Sequence, residues 1–508
     1  MALTHLQDPA RPRPSSPPPG RPGAAVALPG AALALGLGLW GIRRQNSIWG
    51  DEAVTYQAAH RSPAQLWRLI QHVDAVHGLY YLLMHYVFAL LGGGLVVLRL
   101  PSVLGMAVAA AGVALIGQRL ASPRAGLLAG LVFPVFPAVQ QYAQEGRSYG
   151  LVSAGVVVSG LLLLRALDRP RPVRWAGYAA VALVTGVLHE FAALAILAQG
   201  LTLLLGRRPR RLLVGWLCAF AAVLAALAPL LWLSSTESKQ VAWIPFPGTS
   251  TLLFAAGTVL VGALCATACR RPPGQAAPRA APSPAAFALP LLVLPQTVLV
   301  LVSLAHPVYL DRYVVYEYAG LALLVGAALE RLGRRTRWPV LLAVPAALLL
   351  LLPTELHLRT PRARPDDLAA AARAVRALGR PGDGVLFLPS ARREAELVYP
   401  RDFAGLWDLA LSAPVPSSGT LNGIELDADR VTERMRGLTG IVVVRTDGRA
   451  LPEGTRVDAA MQRMLDAEFR VCSRATAVDL TVISYARPGH CSADSTGTPP
   501  KARSRRDA

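Results

Sequence analysis

Charge is what this chain has little of. Of its 508 residues, 16% are Asp, Glu, Lys or Arg and 53% are apolar, whereas a soluble domain of ordinary composition is about 25% charged. That balance excludes a plain cytosolic enzyme. Cysteine is scarce too, with five residues, too few for a disulfide scaffold, and glycine shows no three-residue period, which removes collagen-like classes. Acidic residues are outnumbered, leaving a net charge of +20. The basic residues lie between apolar runs instead of gathering on a polar surface, so no nucleic-acid partner is expected. No Gly-rich phosphate-binding motif stands between a strand and a helix, so the sequence carries no nucleotide-binding signature of that kind.

What the chain has in abundance is apolar runs of bilayer length. Residues 1–23 are rich in Pro and Arg and read as a disordered cytoplasmic tail. The run 24–42 follows, long enough at ~1.5 Å per residue to cross a hydrocarbon core of ~30 Å. It reads as a retained helix in preference to a cleaved signal peptide, because further spans come after it. These are expected at 100–118, 125–141, 149–165, 175–190, 191–206, 212–233, 249–269, 285–304, 314–329 and 338–353, giving about eleven transmembrane helices. The segment 78–91 is too short for a span and is expected as an interfacial helix on the outer side. Counted this way, loops rich in Arg (119–124, 165–174, 207–211, 270–279, 331–337) alternate with loops that carry acids and histidines. The alternation places the N-terminus in the cytoplasm of a multi-pass plasma-membrane protein.

After Pro353 the composition changes. Residues 361–490 are balanced in charge and hold no run of membrane length. A helix is expected at 366–378, strands at 384–388, 440–444 and 479–485, and a helix around 458–469. The fold class is therefore an all-α polytopic membrane domain, 24–355, followed by a small extracytoplasmic α/β domain, 361–490, and a disordered tail, 491–508. Cys472 and Cys491 fall at the end of the soluble domain, where an oxidising compartment permits a disulfide.

Ionisable groups at a membrane boundary are costly to desolvate, so their clustering on one face is a functional signal. Four clusters fall on the outer side. Asp51 and Glu52 follow the first span and supply carboxylates for a general base or a divalent cation, although Asp51 also suits a helix cap. His77, Tyr81 and His85 share a face if their segment is helical; their spacing is poor for a metal pair. Glu145 and Arg147 stand at the end of the third span, either as an ion pair or with Arg147 aimed at a phosphate. His306 and Arg312 lie between two later spans beside tyrosines and Asp311, and His189 and Glu190 occupy a tight hairpin. A transporter or lipid flippase would put such groups near the bilayer midplane, commonly within an internal repeat, and neither is evident. A membrane scaffold with a partner-binding domain is the other alternative, in which the loop carboxylates are dispensable.

The order of TrpGlyAspGluAla (from Trp49), HisGlyLeuTyrTyr (from His77), LeuArgLeuProSer (from Leu98), GlnGluGlyArgSerTyr (from Gln144) and AspArgTyr (from Asp311) resembles the GT-C superfamily of membrane glycosyltransferases. The likeness is to the family 39 group, which includes protein O-mannosyltransferases and the aminoarabinose transferases of lipid A. It spans about residues 24–355 and departs from the pattern at Gly78, where relatives commonly carry Pro. The resemblance implies a polyprenyl-phosphate sugar as donor, the sugar being mannose, another hexose or a pentose. The acceptor it implies is a lipid, glycan or protein outside the cytoplasm. It makes Asp51 the catalytic base of an inverting transfer, with Glu52 assisting or binding acceptor. Arg147, His306 and Arg312 would hold the lipid phosphate. Glu145, His77, Tyr81, His189 and Glu190 would be acceptor-binding or auxiliary groups. The resemblance names no certain cofactor and leaves a divalent cation open, since metal dependence varies among such enzymes.

Overall fold

The computed structural model describes residues 22–236, 244–269, 282–334, 337–447 and 456–491. The expected tails up to residue 21 and from residue 492, and the basic loop at 270–279, lie outside the described residues.

Fifteen helices run through the apolar part: α1 (Pro22–Leu39), α2 (Gly50–Ala59), α3 (Pro63–Ile70), α4 (Gly78–Leu91), α5 (Leu95–Leu120), α6 (Pro123–Val132), α7 (Pro137–Ala143), α8 (Tyr149–Asp168), α9 (Pro172–Leu188), α10 (Ala193–Leu205), α11 (Arg210–Thr236), α12 (Thr249–Ala268), α13 (Pro284–Ser303), α14 (Glu317–Gly333) and α15 (Arg337–Leu358). Several begin where the sequence says they must. Pro leads α3, α6, α9 and α13, where a missing N–H costs nothing, and Ser62, Ser122 and Ser283 cap three of these helices with their hydroxyls.

Each of the eleven expected spans falls on helical residues. Among the described residues, six helices are long and apolar enough to cross a membrane: α1, α5, α8, α11, α12 and α13. α6 and α7 make a seventh if counted as one span bent by 66°, with Pro134 and Pro137 at the break. α9, α10 and the second part of α15 are shorter apolar helices, as is α4 with the turn before it. The chain is thus a multi-pass membrane protein, and eleven is an approximate count of its crossings.

The centre of the bundle is α5, packed against α1, α6 and α8. Small residues let these backbones touch, since lipid supplies no hydrophobic drive between helices and association depends on close packing. A Cβ placed on Gly105 of α5 would sit 2.5 Å from the Gly150 carbonyl of α8, and one on Gly150 would sit 2.5 Å from the Ser102 carbonyl. The same contact lets Ser102 Oγ donate to the Arg147 carbonyl at 2.7 Å, fixing the segment that carries Arg147.

The second unit begins with α16 (Leu368–Leu378) and contains β1 (Gly384–Leu388), α17 (Glu394–Val398), β2 (Trp407–Asp408), β3 (Leu411–Ala413), α18 (Val415–Ser418), β4 (Ile424–Glu425), α19 (Ala428–Arg436), β5 (Gly440–Thr446), α20 (Arg456–Glu468), β6 (Arg470–Ala477) and β7 (Leu480–Ala486). Five strands form one sheet in the order β2-β1-β5-β7-β6, and β3 and β4 make a separate ribbon. β1 lies parallel to both β2 and β5, whereas β7 is antiparallel to β5 and β6. The continuous apolar run of β1 is buried along its whole length, as a central parallel strand demands. β6 is absent from the sequence reading because this edge strand has alternating exposed polar residues in place of an apolar run. Cys472 and Cys491 are joined in a disulfide.

The joint between the units is polar. After α15, Arg359 donates to the carbonyls of Leu37 and Trp40 and to Gln140 Oε1, and its guanidinium lies 4.0 Å from the centre of the Trp40 ring. Gly150→Val should force α5 and α8 apart and destabilise the protein by roughly 1–3 kcal/mol, read as a lowered unfolding midpoint of the purified protein in detergent.

Candidate functional site

The loop after α1 is built around a buried carboxylate. After α1 the chain turns through three consecutive left-handed residues, Arg44, Gln45 and Asn46, with φ of 42°, 55° and 62°. Such backbone is costly for side-chain-bearing residues and persists only when its surroundings fix it. Arg44 supplies that fixing: it donates to the Gln144 carbonyl and reaches Glu52 Oε2 at 3.4 Å. Arg99, wholly buried in α5, grips the same carboxylate with two bonds of 2.7 Å and donates to the carbonyls of Ile42 and Ser47. Gly146 N–H completes the set at 3.0 Å. Burial alone would push the Glu52 carboxyl up, but Arg99 and then Arg44 outweigh it and bring its pKa down to about 2. Glu52 therefore lies beneath the site, outside the cavity described next.

Asp51, one residue earlier, faces the other way. It lines a cavity of about 890 Å³ shared with His77, Arg147, Tyr149, His189, Glu190, His306, Arg312 and Tyr313. Seven of the ten residues singled out for chemistry thus meet in one space. The helix cap is Trp49, so Asp51 is not spent on capping. Its side chain is 28% exposed, with Oδ2 3.4 Å from Arg312 Nη2. The Arg312 guanidinium also stands 5.6 Å from the Trp49 ring centre, where a cation is attracted by the π face. His306 sits at the exposed rim.

Arg147 is held by a relay from the segment before α4. Its Nη2 donates to His77 Nε2 at 2.6 Å, and an arginine can only donate, so His77 carries its proton on Nδ1 and gives it to Asp74 Oδ1 at 2.7 Å. Asp74 also accepts from the Tyr81 hydroxyl. Burial would raise the Asp74 carboxyl, but His77 and then Arg147 bring it well below the usual range. Tyr81 stacks on His77 but is fully buried outside the cavity lining. α4 starts only at Gly78, so His77 sits in the preceding turn. His85 bonds instead to the Ala59 carbonyl at 3.2 Å.

Glu145 and Arg147 do not pair. Glu145 turns away from the cavity to lie 3.1 Å from Arg364 Nε, with Oε2 buried and without a hydrogen-bond partner. Burial pushes its carboxyl up to about 7. His189 is buried against Tyr313, Phe191 and Tyr149, with ring centres 4.8, 5.6 and 5.7 Å away. Burial first, then the neighbouring His77 and the positive charges of Arg147 and Arg312, hold its imidazole well below the usual value. Glu190 accepts from Ser234 Oγ at 3.1 Å. Among the described residues, no group of three or more His, Cys, Asp or Glu side chains is placed to hold a metal ion.

The soluble domain closes the cavity with Ala391, Glu394, Leu421 and Asn422, residues that sequence reading missed. Nothing local marks them, because their place depends on how one unit docks on the other. Burial and then the negative charge of Asp366 hold the Glu394 carboxyl well above its usual range. Asp74 did carry a local signal, standing three residues before His77.

Glu52→Gln should leave Arg99 and Arg44 buried without a countercharge and cost about 3 kcal/mol at neutral pH. Because the folded-state pKa is depressed, this contribution is present above about 4.5 and fades as pH falls through about 2. Denaturant unfolding of wild type and variant across that window measures it. Glu145 has the opposite sign: its raised pKa makes stability fall as pH rises from about 4.5 through about 7. Glu145→Gln should flatten that slope in the same experiment.

The dolichyl-phosphate-mannose-protein mannosyltransferase family matches residues 78–233, a stretch that holds Arg147, His189 and Glu190 and stops short of Asp51 and Arg312. No curated protein matches this chain in sequence. The crystal structure of ArnT from Cupriavidus metallidurans in the apo state superposes with a TM-score of 0.55 at 14% identity, over 93% of this chain and 99% of that one. ArnT from the same organism bound to undecaprenyl phosphate superposes equally well at 14% identity, over 94% and 100%. At this identity the likeness establishes the fold. The chain is accordingly a GT-C-like membrane protein, similar to the mannosyltransferase family in its central helices and to ArnT in architecture over nearly its whole length.

Proposed function

We propose that the protein is a membrane glycosyltransferase that moves a sugar, mannose or another hexose or pentose, from a polyprenyl phosphate to an extracytoplasmic acceptor. The observation that carries this reading is the pairing of Asp51 with Arg312 in a cavity that also holds Arg147 and the apolar side chains of Ile244, Phe191 and Val308. A base, two permanent cations and apolar side chains are what a lipid-linked phosphosugar needs. Undecaprenyl phosphate bound to ArnT supports the same lipid class.

The chemistry follows from the groups present. The acceptor hydroxyl oxygen attacks the anomeric carbon from the face opposite the phosphate, and its proton passes to Asp51. The bond between that carbon and the phosphate oxygen breaks, its electron pair leaving with polyprenyl phosphate, and the configuration inverts. Negative charge grows on the phosphate, where Arg312 and Arg147 counter it in a site largely shielded from water. Arg312 now leans on Asp51; an arriving phosphate competes for that guanidinium and frees the carboxylate to take a proton. Asp74 and His77 hold the Arg147 fork in place. Glu52 and Glu145 serve as supports for the loops, and Glu394 and Asn422 face the space where the acceptor enters. With the arginine-rich loops cytoplasmic, the cavity and the soluble domain face outward from the plasma membrane.

Purified protein incubated with labelled polyprenyl-phosphate mannose and a membrane extract tests the reading, through the identity of what becomes labelled. Asp51→Asn should lower transfer by ~10²–10⁴-fold while the protein stays folded and membrane-inserted. Wild-type turnover in that variant removes Asp51 from the role of base. If no polyprenyl-phosphate sugar is consumed by the wild type, the function itself is refuted.

A further inference from the structure

We infer that the soluble domain positions Asp51, through Asp366 acting as the cap of helix α2 from the opposite side of the domain joint. The inference rests on Asp51 being the base of the proposed transfer. α2 begins at Gly50, and the residue before it, Trp49, has no side-chain acceptor for the orphan N–H groups of the first turn. Helices ordinarily meet this need with a Ser, Thr, Asp or Asn at that position. Here the acceptor arrives from more than 300 positions later: Gly50 N–H donates to Asp366 Oδ1 at 3.0 Å. The negative charge also lies where the positive end of the helix favours it.

Asp366 is itself anchored within the soluble domain. Its Oδ2 is 3.0 Å from Arg392 Nη1, and Arg392 Nε donates to Thr446 Oγ1 of β5 at 2.8 Å. The start of α2 is thereby tied to the central sheet through two side chains. Neighbouring bonds make the placement specific. Ser47 Oγ donates to Asp367 Oδ1 at 2.9 Å, Leu368 N–H to the Ile48 carbonyl at 3.3 Å, and the Tyr399 hydroxyl to the Asn46 carbonyl at 2.8 Å. Residue 50 is glycine at the closest approach, where a Cβ would stand 3.2 Å from Glu394 Oε2 and 3.4 Å from Asp366 Oδ2. Asp366 does not line the cavity, so it acts through α2 as a positioning residue.

Hydrogen exchange over residues 48–59, together with steady-state transfer from a polyprenyl-phosphate sugar, tests this on the full-length protein in detergent. Asp366→Ala should strip protection from the first turn of α2 and lower kcat at least tenfold while KM for the lipid donor stays within twofold. Asp366→Asn with Arg392→Gln keeps an acceptor for Gly50 and a neutral partner behind it, and should restore both readouts. Gly50→Ala, which leaves Asp366 intact and presses on the joint, should shift both in the same direction by a smaller factor and serves if the Asp366 variant fails to fold. Unchanged protection in Asp366→Ala overturns the inference whatever the activity. Lost protection with kcat within twofold also overturns it, because Asp51 is then placed by something else. Lost protection in a protein whose wild type transfers no sugar upholds the cap and refutes the functional reading of Asp51.

Discussion

The site depends on one buried carboxylate. Glu52 makes no contact with the cavity, yet four hydrogen-bonding or ionic contacts converge on it from α5, from the left-handed turn at 44–46 and from the loop at 146. A lone charge in that place would be strongly destabilising. Paired with Arg99 and Arg44 it becomes a clamp, because two guanidinium groups that cannot lose their protons need a fixed anion, and the anion needs them. The clamp joins three stretches of backbone that flank Asp51. Turned about 100° along the same helix, Asp51 then faces the cavity, held from below by this clamp and at the start of the helix by Asp366.

The cavity assembled above this clamp is chemically divided. Arg147 and Arg312 bring permanent positive charge, each oriented by an acidic or aromatic partner. Tyr149, His189, Phe191 and Tyr313 form a continuous aromatic wall, and a neutral His189 contributes polarity there without charge. Amphipathic ligands with a charged head, a ring of alternating C–H and O–H groups, and a greasy tail match those surfaces in turn.

Much of this was legible in the sequence, for particular reasons. Apolar runs of bilayer length announce helices irrespective of context, which is why every expected span is helical. Their number was less secure, since Pro134 and Pro137 bend what reads as one run. Loop alternation put Asp51, Arg147, His306 and Arg312 on one face, and the fold brings them into one cavity. Division of labour within that group did not. Asp51 and Glu52 are adjacent and chemically alike, and only the helix geometry shows that one is exposed to the cavity and the other sealed by Arg99. Glu145 and Arg147, two residues apart, find partners in different parts of the chain, Arg364 and His77. The contribution of Glu394 and Asp366 could not be read at all, because it arises from docking between two units whose sequences show no trace of each other.

The long reach from Asp366 back to Gly50 also bears on how the protein is made. Helix α2 leaves the ribosome early, and its cap belongs to a domain synthesised after α15. A partly inserted chain therefore carries Asp51 on a helix with a frayed start. Only a chain whose last domain has folded onto α2 acquires the finished first turn, so truncated or stalled products carry the helix of Asp51 without its fixed start.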